Sequence, residues 1–294
     1  SLTTAAISVT MSDTSTPLPI VRAVADLRRV VAEWRAEGLR VGFVPTMGAL
    51  HEGHLSLVRQ GKAQADRVVA SVFVNPTQFA PTEDLDRYPR QEATDATLLA
   101  GAGCDILFAP SPPEIYPAGF STSVAVSGVS DDLEGRFRPQ MFGGVALVVA
   151  KLFNMVQPDV ALFGEKDYQQ LLVIRRMAMD LDIPVTVIGC PTVREPDGLA
   201  MSSRNAYLTP AERTTAASLN RILAQAAMSA RAGDRIDDIQ DEARAALLDA
   251  GFERVDYVAI RAAGDLGPFT GGGDSRVLAA AWLGQTRLID NLPV

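Results

Sequence analysis

Hydrophobic positions along this chain fall into two periods. Leu27, Val30, Val31 and Trp34 stand at i, i+3, i+4 and i+7. That spacing predicts a helix over about 23–37 with one buried stripe, stopped by Gly38. Short continuous apolar runs at 41–44, 68–74, 105–108, 160–163 and 185–188 predict strands. Helical patterns at about 55–65, 91–102, 145–156 and 169–181 lie between most of them. Apolar strands separated by helices predict an α/β unit, a parallel sheet covered on both faces. Ligands of such sheets bind beyond the carboxyl ends of the strands, so the segments just after each strand matter most.

The pattern changes after Gly189. Residues 191–203 are largely polar and read as a loop. Thr209-Pro210-Ala211-Glu212 has capping-box spacing with Pro at the first helical position, and predicts a helix running to about Arg231. A second helix over 237–250 and strands near 255–260, 277–282 and 286–289 complete a smaller α+β unit. The expected division is a flexible tail over 1–20, a larger unit over 21–192 and a smaller C-terminal unit over 193–294. The tail is rich in Ser, Thr and Pro and lacks a charged start followed by an apolar core, so it is not read as a signal peptide.

Composition narrows the function classes. The 294 residues carry 27 basic and 35 acidic side chains, a net −8. That balance argues against non-specific nucleic-acid binding, which needs clustered positive charge. No apolar run approaches the roughly 18–20 residues that span a bilayer, and the longest, 145–155, is interrupted by Lys151. Cys104 and Cys190 are the only cysteines and have no metal-type spacing, which suits reduced thiols in a cytoplasm. Only Lys62, Lys151 and Lys166 are lysines, so each ammonium in this arginine-rich chain invites a reason; Lys62 is read as a solvent-facing helix residue.

The first strand of the larger unit runs into Pro45-Thr46-Met47-Gly48-Ala49-Leu50-His51-Glu52-Gly53-His54, and a helix begins. His51 and His54 are the only histidines in the chain. Free N–H groups at the helix start, two imidazoles and Gly53 between them form a cradle for an anion such as phosphate. The bland alternative is a pair of histidines fixing a loop. A zinc site fits less well, because the metalloprotease helix spaces its histidines at i and i+4. Lys166 comes after another strand, in Gly164-Glu165-Lys166-Asp167-Tyr168-Gln169-Gln170, and suits a point charge aimed at phosphate, while Asp167 can cap the next helix. Met201-Ser202-Ser203-Arg204-Asn205 supplies two hydroxyls and a guanidinium for a loop that closes on a triphosphate. There is no Walker A pattern, and Gly101-Ala102-Gly103 lacks the third glycine of a dinucleotide fingerprint.

Taken together, PTMGALHEGH (45–54), NPTQF (75–79), GEKDYQQ (164–170) and PTVREPDGLAMSSRNAYL (191–208) closely resemble the pantothenate synthetase (pantoate–β-alanine ligase) family. This family lies within the HIGH-type nucleotidyl-transferring α/β superfamily, and the resemblance runs from about residue 20 to 294. It implies a Rossmann-like domain that binds ATP and pantoate, followed by an α+β lid domain. The implied reaction forms pantoyl adenylate and pyrophosphate from ATP and pantoate, after which β-alanine displaces AMP to give pantothenate. By match, Met47, Gly48, Ala49, Leu50, His51, Glu52, Gly53, His54, Gly164, Glu165, Lys166, Asp167, Val193, Met201, Ser202, Ser203 and Arg204 would line the ATP site. The catalytic set would be His54, His51, Lys166, Ser202, Ser203 and Arg204. Gln78 and Gln170 would bind pantoate, Gln78 also β-alanine. Mg²⁺ would bridge phosphates, and Asp95 matches an acidic position associated with that metal. The resemblance further implies a cytoplasmic homodimer acting on small molecules, with neither nucleic acid nor membrane as partner. Thr94, Met141, Ala80 and Thr82 depart from the family's commoner residues; Met141 stands in a lid-like segment, 134–142, where a histidine is usual. Two other functions stay open at this point: a plain nucleotidyltransferase, and a nucleotide-binding module without turnover.

Overall fold

The computed structural model describes residues 17–271 and 273–294. Its larger unit contains, in chain order, β1 (Ile20–Val21), α1 (Val24–Ala36), β2 (Val41–Thr46), α2 (Glu52–Gln64), β3 (Arg67–Val72), α3 (Glu92–Gly101), β4 (Ile106–Phe108), α4 (Pro112–Ile115), α5 (Glu134–Phe137), α6 (Met141–Val156), β5 (Val160–Gly164), α7 (Tyr168–Asp180) and β6 (Thr186–Cys190). The six strands form one parallel sheet in the order β1-β4-β3-β2-β5-β6. This is the parallel α/β sheet expected from the apolar runs, in the Rossmann-like form that the family resemblance implies.

Alternation within each strand divides two cores. Val41, Phe43, Val69, Ile106, Phe108, Ala161 and Phe163 face α1, α6 and α7. Val44, Val68, Ala70, Leu107, Val160 and Leu162 face α2 and α3. Burial on both faces is why these strands read as continuous apolar runs rather than alternating ones. In α6, thirteen of the sixteen residues are buried, so this helix is apolar nearly all round. Lys151 interrupts it, and its ammonium lies 4.4 Å from the Phe120 ring centroid, a cation–π contact.

The chain order sets the position of the site. From β2 the chain builds outward through β3 to β4, then crosses back to place β5 on the other side of β2. The crevice beyond the ends of β2 and β5 is therefore the switch point where such sheets bind ligands.

The smaller unit contains α8 (Pro210–Ala216), α9 (Ser218–Arg231), α10 (Ile236–Ala250) and the antiparallel strands β7 (Arg254–Ala262), β8 (Ser275–Leu283) and β9 (Thr286–Pro293). Val277, Ala279 and Ala281 of β8 pack toward α9 and α10. Leu278 and Ala280, on the opposite face, pack with Leu133 and Leu172 of the larger unit.

Three local expectations are corrected. The helix expected from Thr209 to Arg231 is two helices. Thr209 and Glu212 do cap each other, but Ser218 Oγ donates to the Thr215 carbonyl at 2.6 Å and competes for the ladder at the break. Ile20, placed in the tail, belongs to the short edge strand β1 beside β4; residues 1–16 of that expected tail lie outside the described residues. Lys62 is not merely solvated, since its ammonium bridges the Asp105 carboxylate at 2.9 Å and the Asp66 carbonyl at 3.1 Å.

Candidate active site

The loop leaving β2 is held from beneath. Gly48 and Ala49 both adopt positive φ, 83° and 51°. A Cβ at Gly48 would lie 3.0 Å from Asp95 Oδ2, so both backbone and space require glycine. Asp95 is fully buried and accepts from Ala49 N at 3.0 Å and Leu50 N at 2.9 Å, with Gln91 Nε2 at 3.2 Å. Its two oxygens are thus engaged by the loop. Asp95 thus has a structural role in holding this loop, whatever it does toward a metal. Among the described residues, no group of three or more His, Cys, Asp or Glu could hold an ion.

The loop delivers His51 to the N-cap of α2. His51 Nδ1 accepts from Gly53 N at 3.0 Å, and His54 Nδ1 accepts from His51 N at 3.2 Å. Because a backbone N–H occupies each Nδ1, each ring carries its proton on Nε2, a donor. The ring centroids are 4.0 Å apart. Burial, then the Lys166 ammonium, pushes His51 down to about 4. Burial, then His51 and Lys166, pushes His54 down to about 3. Both imidazoles are therefore neutral at physiological pH and donate as N–H groups, not as imidazolium.

Gly53 is required by the packing of the chain itself. A Cβ there would stand 2.6 Å from His51 Cε1. Within the chain, the close approach is that of the neighbouring imidazole. Gly53→Ala is expected to displace His51 and shift its ring NMR signals while the melting temperature stays within a few degrees; unmoved His51 signals would refute this packing role.

The neutral state also has a stability consequence. Unfolded imidazoles take up protons below about 6.5, whereas the folded pair does not until about 4 and about 3. The unfolded state then binds more protons, so stability falls as pH drops from 6.5 toward 3. Histidine ring NMR signals of the ligand-free protein should stay flat from pH 8 to 5, and the urea midpoint should be lower at pH 5 than at pH 7. A ring titrating near 6.5 would contradict this.

Lys166 sits in the turn after β5. Among the described residues it makes no ion pair within 4.0 Å. The turn is pinned from the smaller unit, where Asn291 Nδ2 of β9 donates to the Glu165 and Lys166 carbonyls at 2.9 and 2.8 Å. The Ser-Ser-Arg loop, expected to close on a triphosphate, is already seated. Ser203 Oγ donates to the Ala49 carbonyl at 2.9 Å, and Ser202 Oγ accepts from Arg204 N at 3.2 Å. The Arg204 guanidinium grips Asp84 through two bonds of 3.0 and 3.1 Å. Burial works against the Asp84 charge, yet Arg204 holds its carboxyl below the usual range.

These elements enclose one cavity of about 240 Å³. It is lined by Met47, His51, Gly53 and His54 from the first motif, and by Gly164, Lys166, Asp167 and Gln170 from the third. Val193, Met201, Ser202, Ser203 and Arg204 close it from the fourth, and Gln78 comes from the second. The other expected site residues do not line it. Gly48, Ala49 and Leu50 lie buried on Asp95, Glu52 is exposed and pairs with Arg59, and Glu165 lies 3.8 Å from Arg276. The lining also has an apolar part, Phe73, Met141, Val145, Val148, Val149 and Leu152, together with Gln78 and Gln170. Met141 is thus a buried wall residue at the start of α6 rather than lid packing. Lys166, Asp167, Ser202, Arg204 and Arg138 also border a larger cleft of about 1220 Å³ between the two units.

Several residues of this arrangement have no role expected from the sequence, namely Asp84, Asn75, Arg138 and Asn291, although Asn75 stands in the second motif and Arg138 in the lid-like segment. Glu134 is another. It is buried, accepts from Tyr257 Oη and Arg287 Nη2 at 2.7 Å each, and its backbone N–H donates to Gln169 Oε1 at 3.0 Å. That network ties the segment over 134–142 to both units.

A family model described as pantoate-beta-alanine ligase matches residues 19–293. The pantothenate synthetase of Caulobacter vibrioides is 61% identical over 280 residues, covering 94% of this chain and 98% of its own. That of Paramagnetospirillum magneticum is 60% identical over 281 residues, covering 95% and 99%. The crystal structure of pantothenate synthetase from Thermus thermophilus superposes with a TM-score of 0.88 at 48% identity, covering 94% of this chain and 99% of that one. The pantoate-beta-alanine ligase of Francisella tularensis, solved with beta-gamma ATP and beta-alanine, gives a TM-score of 0.80 at 33% identity, covering 94% and 97%.

Proposed function

Since this chain belongs to the pantoate–β-alanine ligase family, we propose that it joins pantoate to β-alanine at the expense of ATP, through a pantoyl adenylate, releasing pyrophosphate and AMP. A carboxylate is a poor electrophile, and adenylation gives it a leaving group. The first step must hold the carboxylate in line with the α-phosphorus and stabilise charge moving onto pyrophosphate. The second must keep water from a hydrolysable intermediate while the amine attacks.

One observation carries this reading: two neutral Nε2–H donors, the Lys166 ammonium and the Arg204 guanidinium meet on one cavity from three distant stretches of chain. In the proposal His51 and His54 donate to phosphate oxygens, His54 chiefly in the transition state. Lys166, Ser202, Ser203 and Arg204 hold the polyphosphate. Met47, Gly53, Gly164, Asp167, Val193 and Met201 contact the nucleotide. Gln78 and Gln170 take the oxygens of pantoate, whose branched carbon body suits the apolar wall. The smaller unit serves as the lid over the larger, ATP- and pantoate-binding one.

A magnesium ion held by this chain does not fit the residues present, because Asp95 is spent on the loop and no other acidic cluster among the described residues serves. In this reading Mg²⁺ enters on the phosphates of ATP, as part of the substrate. We further propose a homodimer through the larger unit in the cytoplasm. Buried free thiols at Cys104 and Cys190 suit a reducing compartment, and no helix among the described residues is long and apolar enough to cross a membrane.

The test adds substrates in sequence. Protein, ATP, Mg²⁺ and pantoate are expected to release pyrophosphate, and AMP is expected only after β-alanine is added. Pyrophosphate without pantoate, or AMP without β-alanine, would count against the ligase, and a stable nucleotidyl product would favour the plain transferase. A monomer by light scattering at working concentration would reject the dimer.

A further inference from the structure

Gln78 is held by a chain of hydrogen bonds whose direction is fixed at its far end. Asn75, 1% exposed, caps the 3₁₀ turn Pro76–Gln78. Its Oδ1 accepts from Thr77 N at 3.4 Å, from Thr77 Oγ1 at 2.9 Å and from Tyr116 Oη at 2.7 Å. Its Nδ2 donates to the Gly144 carbonyl at 3.1 Å and to Gln78 Oε1 at 3.0 Å. A backbone N–H can only donate and a backbone carbonyl can only accept. Thr77 N and Gly144 O therefore give the sense in which the Asn75 amide faces, and the Tyr116 hydroxyl, its shortest contact at 2.7 Å, holds it there. The Asn75 NH₂ must then meet an acceptor on Gln78. Oε1 turns inward, and the Gln78 NH₂ is left toward the cavity that Gln78 lines.

Two further observations hold this chain in place. A Cβ at Gly144 would lie 2.4 Å from the Thr77 carbonyl oxygen, so α6 packs directly on the turn backbone and only glycine permits it. Tyr116 is braced by Phe120 and Phe73, with ring centroids 5.2 and 6.2 Å away. Its hydroxyl also lies 3.2 Å from Thr77 Oγ1. The ring is packed, and the hydroxyl is its one polar tie to the site.

We propose that Tyr116, acting through Asn75, is a positioning residue that locks the Gln78 amide with its NH₂ toward the substrate, so that this end of the cavity selects acceptor oxygens of the acid and disfavours a cationic amine. The proposal rests on the reading that Gln78 meets pantoate. An amide free to flip would offer donor and acceptor alike, and part of the binding energy would go into orienting it. With NH₂ presented, a carboxylate or hydroxyl oxygen of pantoate is accepted, whereas an ammonium meets a donor. Any contact of Gln78 with β-alanine would then be to its carboxylate.

Tyr116→Phe removes the hydroxyl and keeps the ring. Steady-state kinetics with each substrate varied are expected to show KM for pantoate raised about tenfold, the effect of one lost hydrogen bond. KM for ATP should stay within about twofold and Tm within a degree or two, which a merely structural role would not produce. Gln78→Ala should raise KM for pantoate on its own, and Tyr116→Phe should add nothing in the Gln78→Ala background, because the hydroxyl acts through that amide. If Gln78→Ala raises KM for pantoate and Tyr116→Phe leaves it unchanged, the relay is wrong and the pantoate site stands. Additive effects in the double variant overturn the relay as well. If Gln78→Ala has no effect, the underlying reading fails first.

Discussion

His54→Ala is expected to slow pantoate-dependent pyrophosphate release by about 10²–10³-fold, the usual loss for one preorganised donor to developing charge. The ground for this size is geometric. His54 Nδ1 is occupied by His51 N, so the ring cannot turn and its Nε2–H has one direction. Burial keeps it neutral, with its pKa pushed down to about 3, so it reaches the transition state as a fixed dipole needing no proton uptake. A preorganised dipole in a site shielded from water acts without reorganising when charge moves to the leaving group. The loss should therefore appear in the first step. KM for β-alanine should hardly move, because amine attack no longer involves pyrophosphate. The same variant also removes an acceptor from His51 N, so circular dichroism and thermal melting should accompany the kinetics. Near-normal pyrophosphate release from a folded His54→Ala protein would remove this residue from the chemistry.

Much of this site is written in contiguous residues. The strand runs are legible because both sheet faces are covered, and His51, Lys166 and Arg204 each come after an apolar run or sit in a recognisable loop. Their convergence depends on β5 lying beside β2, which strand order decides and local pattern does not. What escaped the sequence is the set of groups that answer these residues from far along the chain. Asp84 lies 120 positions from the Arg204 it grips, and Asn291 lies 125 from the Lys166 carbonyl it holds. No periodicity records such pairs. Asp95 is a related case: in sequence an acidic side chain beside this loop suggests a metal, and only the fold shows its two oxygens on Ala49 N and Leu50 N. Gly53 marks a close approach, and within the chain the neighbour that comes close is His51, three-dimensional packing that its sequence position does not record. The two-residue β1 is too short for any pattern and forms only because β4 offers an edge.

The pairs that escaped the sequence share a feature. Arg204 on Asp84, Asn291 on the Lys166 turn and Arg287 on Glu134 each join the smaller unit, or the loop leading into it, to the larger one. Bidentate Arg–carboxylate pairs fix orientation as well as distance. The cations of the site are thus set from across the unit boundary, while the neutral donors are set within one loop. A change at that boundary should therefore alter phosphate binding before it alters the imidazoles.

Lys166 offers the sharpest test of that division, because among the described residues it alone of the site's cations has no carboxylate within 4.0 Å. Its charge is fully available to a phosphate. On the proposed reaction, Lys166→Ala is expected to lower pantoate-dependent pyrophosphate release by about 10²–10³-fold, since a charge-assisted contact in a shielded site is lost where negative charge accumulates. Lys166→Arg should recover little, because a planar fork does not replace a compact ammonium on a turn whose backbone Asn291 fixes. Electrostatics alone supplies a second readout. The Lys166 charge lowers both histidines, behind burial at His51 and behind burial and His51 at His54. Removing a nearby positive charge makes each imidazolium less unfavourable, so both ring titrations should move up from about 4 and about 3. They should remain below 6.5, because burial, the larger cause, is untouched. Histidine NMR of Lys166→Ala in the absence of ATP measures this without any turnover. Unmoved titrations would place the ammonium too far from the imidazoles to share one polyphosphate, and the proposed phosphate site would then have to be rebuilt without it.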